Sequence, residues 1–234
     1  MPQGEADVAQ GTGPRSPLPM AQQARSQRTR QALVDAGLAL LDERGAEALT
    51  VSAVSVRARV ATGTVYRRFG DKDGLLSVLQ EEFTSGFGVE FAQRMSRTHL
   101  APGADAATAV DLAVRALADT FRAHERLLRV FVLLGLKNQR IAVAGDRASH
   151  DGGRHFQAVL HPHASAFTHP EPEDAIDVAY RLTFAACMQR VVHGANAESP
   201  RPLSWADLTN ELSRAATSYL LGSLPRDMAP HGDR

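Results

Sequence analysis

The stretch Thr62-Gly63-Thr64-Val65-Tyr66-Arg67-Arg68-Phe69 combines hydroxyls, a phenol and two guanidinium groups within eight residues. Such side chains hydrogen-bond to phosphates and to base edges. On a helix, Val65 and Phe69 are four apart and share one inward face. Thr62, Gly63, Arg67 and Arg68 then lie largely on other faces, and Gly63, lacking a side chain, lets such a helix approach a groove closely. A plainer reading competes at each position: Tyr66 as a core aromatic, the two arginines as an ordinary solvated face.

The elements around this stretch favour the first reading. Leu33, Val34, Leu38, Leu40 and Leu41 recur at helical spacing from about Gln27, and Arg44-Gly45 is a good stop. Thr50 is a plausible N-cap for a short helix to about Arg57. Ala58-Arg59-Val60-Ala61 is the turn before a third helix, Thr62 to Phe69. Gly70 breaks it, and Asp71 can cap a fourth helix running to about Met95. Three short helices with a sharp turn between the second and third make a helix-turn-helix, whose third helix enters the major groove.

The run Gln31 to Leu76 resembles the N-terminal domain of the tetracycline-repressor (TetR) family. That family's order is Glu-Arg-Gly, Thr-Val, Thr-Leu-Tyr-x-His-Phe, then Lys and Leu. This chain has Glu43-Arg44-Gly45, Thr50-Val51, Thr64-Val65-Tyr66-Arg67-Arg68-Phe69, Lys72 and Leu75. The resemblance implies that Tyr66 and Lys72 contact phosphates, with Thr50 near the same strand. Lys72 also falls in a first helical turn, where backbone N–H groups favour anions. Thr62, Gly63, Thr64 and Arg67 are implied to face bases or nearby sugar-phosphate. Arg68, standing where the family commonly has His, is implied to reach a phosphate.

Two departures bear on helix 3. Arg59 occupies the family's usual turn glycine, and a non-glycine residue in a left-handed turn costs roughly 1 kcal/mol. Ala61 replaces the family's serine at the start of helix 3, leaving Thr62 to take over the cap. Local charge agrees with a DNA partner. Between Arg25 and Gln80 there are nine basic residues (25, 28, 30, 44, 57, 59, 67, 68, 72) against six acids (35, 42, 43, 47, 71, 73). The whole chain has net charge zero, so any nucleic-acid argument must be local. Arg25, Arg28 and Arg30 form a basic arm that can reach the DNA backbone or minor groove, or simply remain solvated.

Beyond Pro102-Gly103, helices are expected at about 105–123, 125–137, 140–161, 172–194 and 204–222, separated by proline-rich breaks. Phe121, His124, Leu128, Phe131, Phe156, Phe184 and Met188 come from several of these helices. Converging aromatic and aliphatic groups with a polar member such as His124 can line a pocket for a small, mostly apolar effector; they can equally fill a core. The fourth of these helices has two apolar stripes, Ile176/Ala179/Thr183/Ala186 and Val178/Leu182/Ala185/Val192. The last has Trp205, Leu208, Leu212, Ala216 and Tyr219. Two such helices per chain can form a four-helix dimer interface.

The expected fold class is therefore all-α: a three-helix helix-turn-helix DNA-binding domain over 25–76 and a helical ligand-binding and dimerisation domain over 77–224. Tails over 1–24 and 225–234 are rich in Gly, Pro and polar residues and are expected to be disordered. The single cysteine, Cys187, excludes an internal disulfide. Residues 1–20 lack the apolar core of a signal peptide, and no run is long enough to span a membrane, so a cytoplasmic protein is expected. The histidines at 150, 155, 161, 163 and 169 lack the compact spacing of a helical metal site, and no metal or other cofactor is expected. No phosphate loop, dinucleotide turn or nucleophilic triad is legible, which argues against an enzyme. The expected partners are double-stranded operator DNA, a second copy of the chain, and a small-molecule effector whose identity the residues do not give. The expected activity is that of a repressor released from its operator by that effector. An enzyme on a helical fold, or a helical interaction protein with an idle helix-turn-helix, are the competing readings.

Overall fold

The computed structural model describes residues 20–97, 105–196 and 199–222, and within them the regular structure is entirely helical. The order is α1 (Met20–Arg44), α2 (Val51–Ala58), α3 (Thr62–Phe69), α4 (Lys72–Arg97), α5 (Ala106–Ala123), α6 (Glu125–Gly135), α7 (Gln139–Leu160), α8 (Pro172–His193) and α9 (Trp205–Leu221). Polar caps set many of the starts. Asp105 accepts from the Thr108 N–H at 2.8 Å, Asn138 from the Arg140 N–H at 3.1 Å, and Ser204 from the Asp207 N–H at 3.1 Å. The expected tail over 1–24 is corrected at its inner end. Met20 to Ala24 belongs to α1, which opens directly after Pro19, because Met, Ala and Gln are strong helix formers and no breaker follows that proline. Residues 1–19 and 223–234 lie outside the described residues.

Two hydrophobic clusters organise the chain. The smaller is built from α1 to α4, with Leu33, Leu41, Leu49, Val54, Val65, Leu75 and Leu79 almost wholly buried, and it takes in Phe131 of α6 and Ile141 of α7. The larger gathers around α5, which packs on α4, α7, α8 and α9. Helix α4, about 39 Å long at 1.5 Å per residue, runs through both. Its approach to α1 depends on Gly37: a Cβ there would sit 2.7 Å from the Leu79 side chain. A second close approach places Tyr180 of α8 across Gly152-Gly153 of α7. A Cβ on Gly153 would meet the Tyr180 ring at 3.1 Å, and the phenol donates to the Ser149 carbonyl at 2.6 Å.

The two stripes of α8 divide as a two-sided helix requires. Ile176, Ala179 and Thr183 of the first stripe are buried and Ala186 is half-buried, whereas Val178, Leu182 and Ala185 of the second are exposed, Leu182 at 59%, and Val192 is half-buried. The stripe of α9 does not stand open. Trp205, Leu212, Ala216 and Tyr219 pack against the cluster around α5, and the exposed face of α9 carries Asn210, Glu211, Arg214 and Ser218.

Candidate nucleic-acid interface

Helix α2 begins at Thr50, whose hydroxyl accepts from the Ala53 N–H at 3.0 Å while its own hydrogen remains available outward. Arg57 on α2 makes a two-pronged pair with Glu43 at the end of α1, at 2.6 and 2.7 Å. The guanidinium holds the Glu43 carboxyl below its usual range. Arg59 then turns the chain in the left-handed conformation, φ 56° and ψ 43°, and its N–H closes α2 on the Ser55 and Val56 carbonyls. It is the one non-glycine residue among the described residues with positive φ.

Helix α3 starts as the residue pattern requires, but without a side-chain cap. Ala61 offers none, and Thr62 does not replace it, which corrects the expectation. The Thr62 hydroxyl instead lies 3.0 Å from Ser55 Oγ on α2. Val65 is buried and Phe69 packs against the smaller cluster, so α3 is fixed along one face. The opposite side carries Thr62, Gly63, Tyr66 and Arg67, all exposed, Tyr66 at 53%. Nothing approaches within 4 Å of a side chain built on Gly63. Thr64 is half-buried, 3.4 Å from Arg67 Nη2. Gly70, φ 79°, ends α3, and Asp71 caps α4 by accepting from the Gly74 N–H at 2.7 Å. That leaves Lys72 exposed in the first turn of α4. The eight residues singled out for DNA therefore lie on one continuous segment from the α2 N-terminus to the α4 N-terminus.

One of them has a partner that spacing did not reveal. Arg68 Nη2 donates to Ser26 Oγ of α1 at 2.9 Å, 42 residues away. The basic arm is likewise part of α1: Arg30 pairs with Glu82 of α4 at 3.4 Å, while Arg25 and Arg28 are exposed.

The seven residues expected around an effector meet in a row of rings. Phe131 stacks on Phe83 at 5.1 Å; His124 lies 5.8 Å from Phe83 and 5.7 Å from Phe87. Phe121 stands edge-on to Phe87 at 5.6 Å and to Phe184 at 5.3 Å, and Tyr180 bridges Phe184 and Phe156 at 5.6 Å each. Leu128 and Met188 pack partly buried alongside. Phe121 and Phe156 are fully buried, so the row forms core packing. A groove of about 460 Å³ opens beside it between α7 and α8, lined by Ser149, Gly153, Gln157, Asp177, Tyr180 and Phe184 among others. Sequence reasoning missed Phe83, Phe87 and Tyr180 of the row, and also Glu90. That carboxylate takes His124 Nε2 at 2.7 Å and Arg94 on its other oxygen. Cys187 is wholly buried, and burial pushes its thiol up to about 12, an inert group at neutral pH. Among the described residues there is no cluster of three metal-ligating side chains, and no helix long and apolar enough to cross a membrane.

Comparison with known proteins agrees with the geometry. The family model described as bacterial regulatory proteins, tetR family, matches residues 33–79. The A-factor receptor protein of Streptomyces griseus is 36% identical over 77 residues, 33% of this chain and 27% of that protein. The HTH-type transcriptional regulator BetI of Burkholderia mallei is 36% identical over 75 residues, 32% of this chain and 38% of the relative. The chain thus matches well under half the length of either relative. Solved structures extend the likeness of fold. A TetR-family transcriptional regulator from Mesorhizobium loti superposes with a TM-score of 0.65 at 15% identity, over 83% of this chain and 96% of that one. One from Syntrophomonas wolfei does so with a TM-score of 0.63 at 16% identity, over 85% and 98%. The helix-turn-helix segment is thus similar in sequence to bacterial regulatory proteins of the TetR family, and the helical architecture as a whole is similar in fold to solved members of that family.

Proposed function

We propose that this protein is a cytoplasmic, dimeric transcriptional repressor that binds a pseudo-palindromic operator and is released from it by a small, mostly apolar ligand. The observation that carries the reading is the exposed side of α3, where Thr62, Gly63, Tyr66 and Arg67 stand clear of a helix anchored by Val65 and Phe69. Thr62, Gly63, Thr64 and Arg67 read base edges or adjacent sugar-phosphate; Thr50, Tyr66, Arg68 and Lys72 hold the backbone. The open stripe Val178, Leu182 and Ala185 on α8 supports self-association, which sets two recognition helices about one helical turn apart, ~34 Å.

Release would act through α4. This helix carries the DNA-binding segment at one end and meets the aromatic row through Phe83, Phe87 and Glu90 in its middle. An effector reaching Phe121, His124, Leu128, Phe131, Phe156, Phe184 or Met188 must open packing that α4 shares. A relative named as a receptor protein fits such a design. Footprinting on DNA flanking the gene tests the first half: protection of a two-fold symmetric site supports it, and the absence of any salt-dependent DNA binding overturns it. Titrating a ligand with and without operator tests the second, because coupling of ~1–3 kcal/mol must appear equally in both affinities. An unchanged ligand affinity sinks the induction mechanism.

A further inference from the structure

Thr62 stands exposed at the leading end of α3, yet its hydroxyl is tied to a buried partner. Ser55 is 3% exposed. Its only hydrogen is donated to the Ser52 carbonyl at 2.9 Å. The 3.0 Å contact between Ser55 Oγ and Thr62 Oγ1 allows either hydroxyl to donate, and the polarity that keeps both Ser55 bonds is Thr62 donating and Ser55 accepting. With its hydrogen directed inward, the Thr62 oxygen offers the outside only lone pairs.

Resting on the operator-binding reading above, we infer that Thr62 is a specificity-determining residue that acts solely as a hydrogen-bond acceptor, its polarity imposed by Ser55. In the major groove the donors are adenine N6 and cytosine N4, whereas guanine and thymine present O6, N7 and O4 acceptors. The half-site position facing Thr62 is accordingly restricted, on one strand, to adenine or cytosine. That two-base degeneracy differs from the single-base choice of a bidentate side chain. To bond guanine or thymine, Thr62 must turn its hydrogen outward, leaving the buried Ser55 oxygen without a donor. The penalty for a lost bond of this kind is on the order of tenfold in affinity. Ser55 is a positioning residue in this scheme, because it never touches DNA.

Selection of sites from a randomised duplex library by the full-length protein tests the inference. The wild type should enrich a two-fold site with one adenine-or-cytosine position in each half. Ser55→Ala frees the Thr62 hydrogen and should open that position to all four bases while the rest of the site is unchanged. Thr62→Ser should keep the restriction and Thr62→Val should abolish it. If Ser55→Ala fails to fold, the wild-type site and the two Thr62 variants still decide the matter. An enriched symmetric site lacking such a position overturns the inference and leaves operator binding standing; so does a restriction that survives Ser55→Ala or Thr62→Val. Enrichment of no sequence at all overturns operator binding, and this inference with it.

Discussion

Glu90 of α4 and His124, at the junction of α5 and α6, meet at 2.7 Å across 34 residues of chain. The contact joins the helix that follows the helix-turn-helix to the body of the protein, and the His124 ring lies beside both Phe83 and Phe87. The Glu90 carboxyl is held below its ordinary value of 4.5, first by Arg94 and then by His124. A carboxylate lowered on folding contributes stability above its unfolded value, and that contribution disappears as pH falls through the folded one. The acid limb of thermal stability below about pH 4.5 should therefore be shallower in Glu90→Gln than in the wild type. A double-mutant cycle with His124→Ala should give a coupling of up to about 1 kcal/mol, as expected for a partly exposed pair. Parallel acid limbs, or strictly additive effects, would show that the contact is incidental.

Arg59 is the most direct stability target. Its left-handed backbone burdens a side chain where glycine is unstrained. Arg59→Gly should raise unfolding stability by about 0.5–1 kcal/mol in urea titration. A fall in the midpoint would mean that the Arg59 side chain contributes more than the strain it brings.

Much of this turn was legible beforehand, since Ala58 to Ala61 interrupts two short apolar repeats and Gly70 closes the second. Thr50 and Asp71 mark helix starts in the sequence because capping is local chemistry written within three residues. What stayed hidden depends on tertiary distance. Ser26 and Arg68 are 42 residues apart, and nothing local to either foretells the bond. Glu90 reads as one more acid on an amphipathic helix until His124 is brought to it. The candidate effector residues are mostly apolar groups on separate helices, and spacing alone does not distinguish a cavity from the interlocked rings that occur.

Contacts on the α3 face should separate by the kind of loss they cause. Lys72→Ala and Tyr66→Phe should weaken binding to all sequences alike, with Lys72→Ala reducing the salt slope by about one. Arg67→Ala should change the ranking of operator variants, by ~1–3 kcal/mol at the base pair it reads. A panel of operator variants measured at two salt concentrations makes the distinction. The reverse pattern would require α3 to be rotated about its axis in the groove.

The exposed stripe on α8 gives a prediction about assembly. Leu182→Glu puts a charge at the centre of the face formed with Val178 and Ala185 and should leave a folded monomer at micromolar concentration, read by light scattering. Loss of operator affinity should follow, because one recognition helix then acts without the other. A Leu182→Glu protein that remains dimeric would move the interface elsewhere.

Phe87 and Leu128 each pack against both hydrophobic clusters, and α4 passes between them without a break. The helix-turn-helix segment is therefore not an independent folding unit tethered to a stable body. Melting its cluster uncovers two side chains on which the larger one relies, and fraying α4 from either end removes a wall from both. The whole chain should unfold in a single calorimetric transition, with matching van't Hoff and calorimetric enthalpies. The slowest-exchanging amides should then lie in the middle of α4, where the two clusters meet.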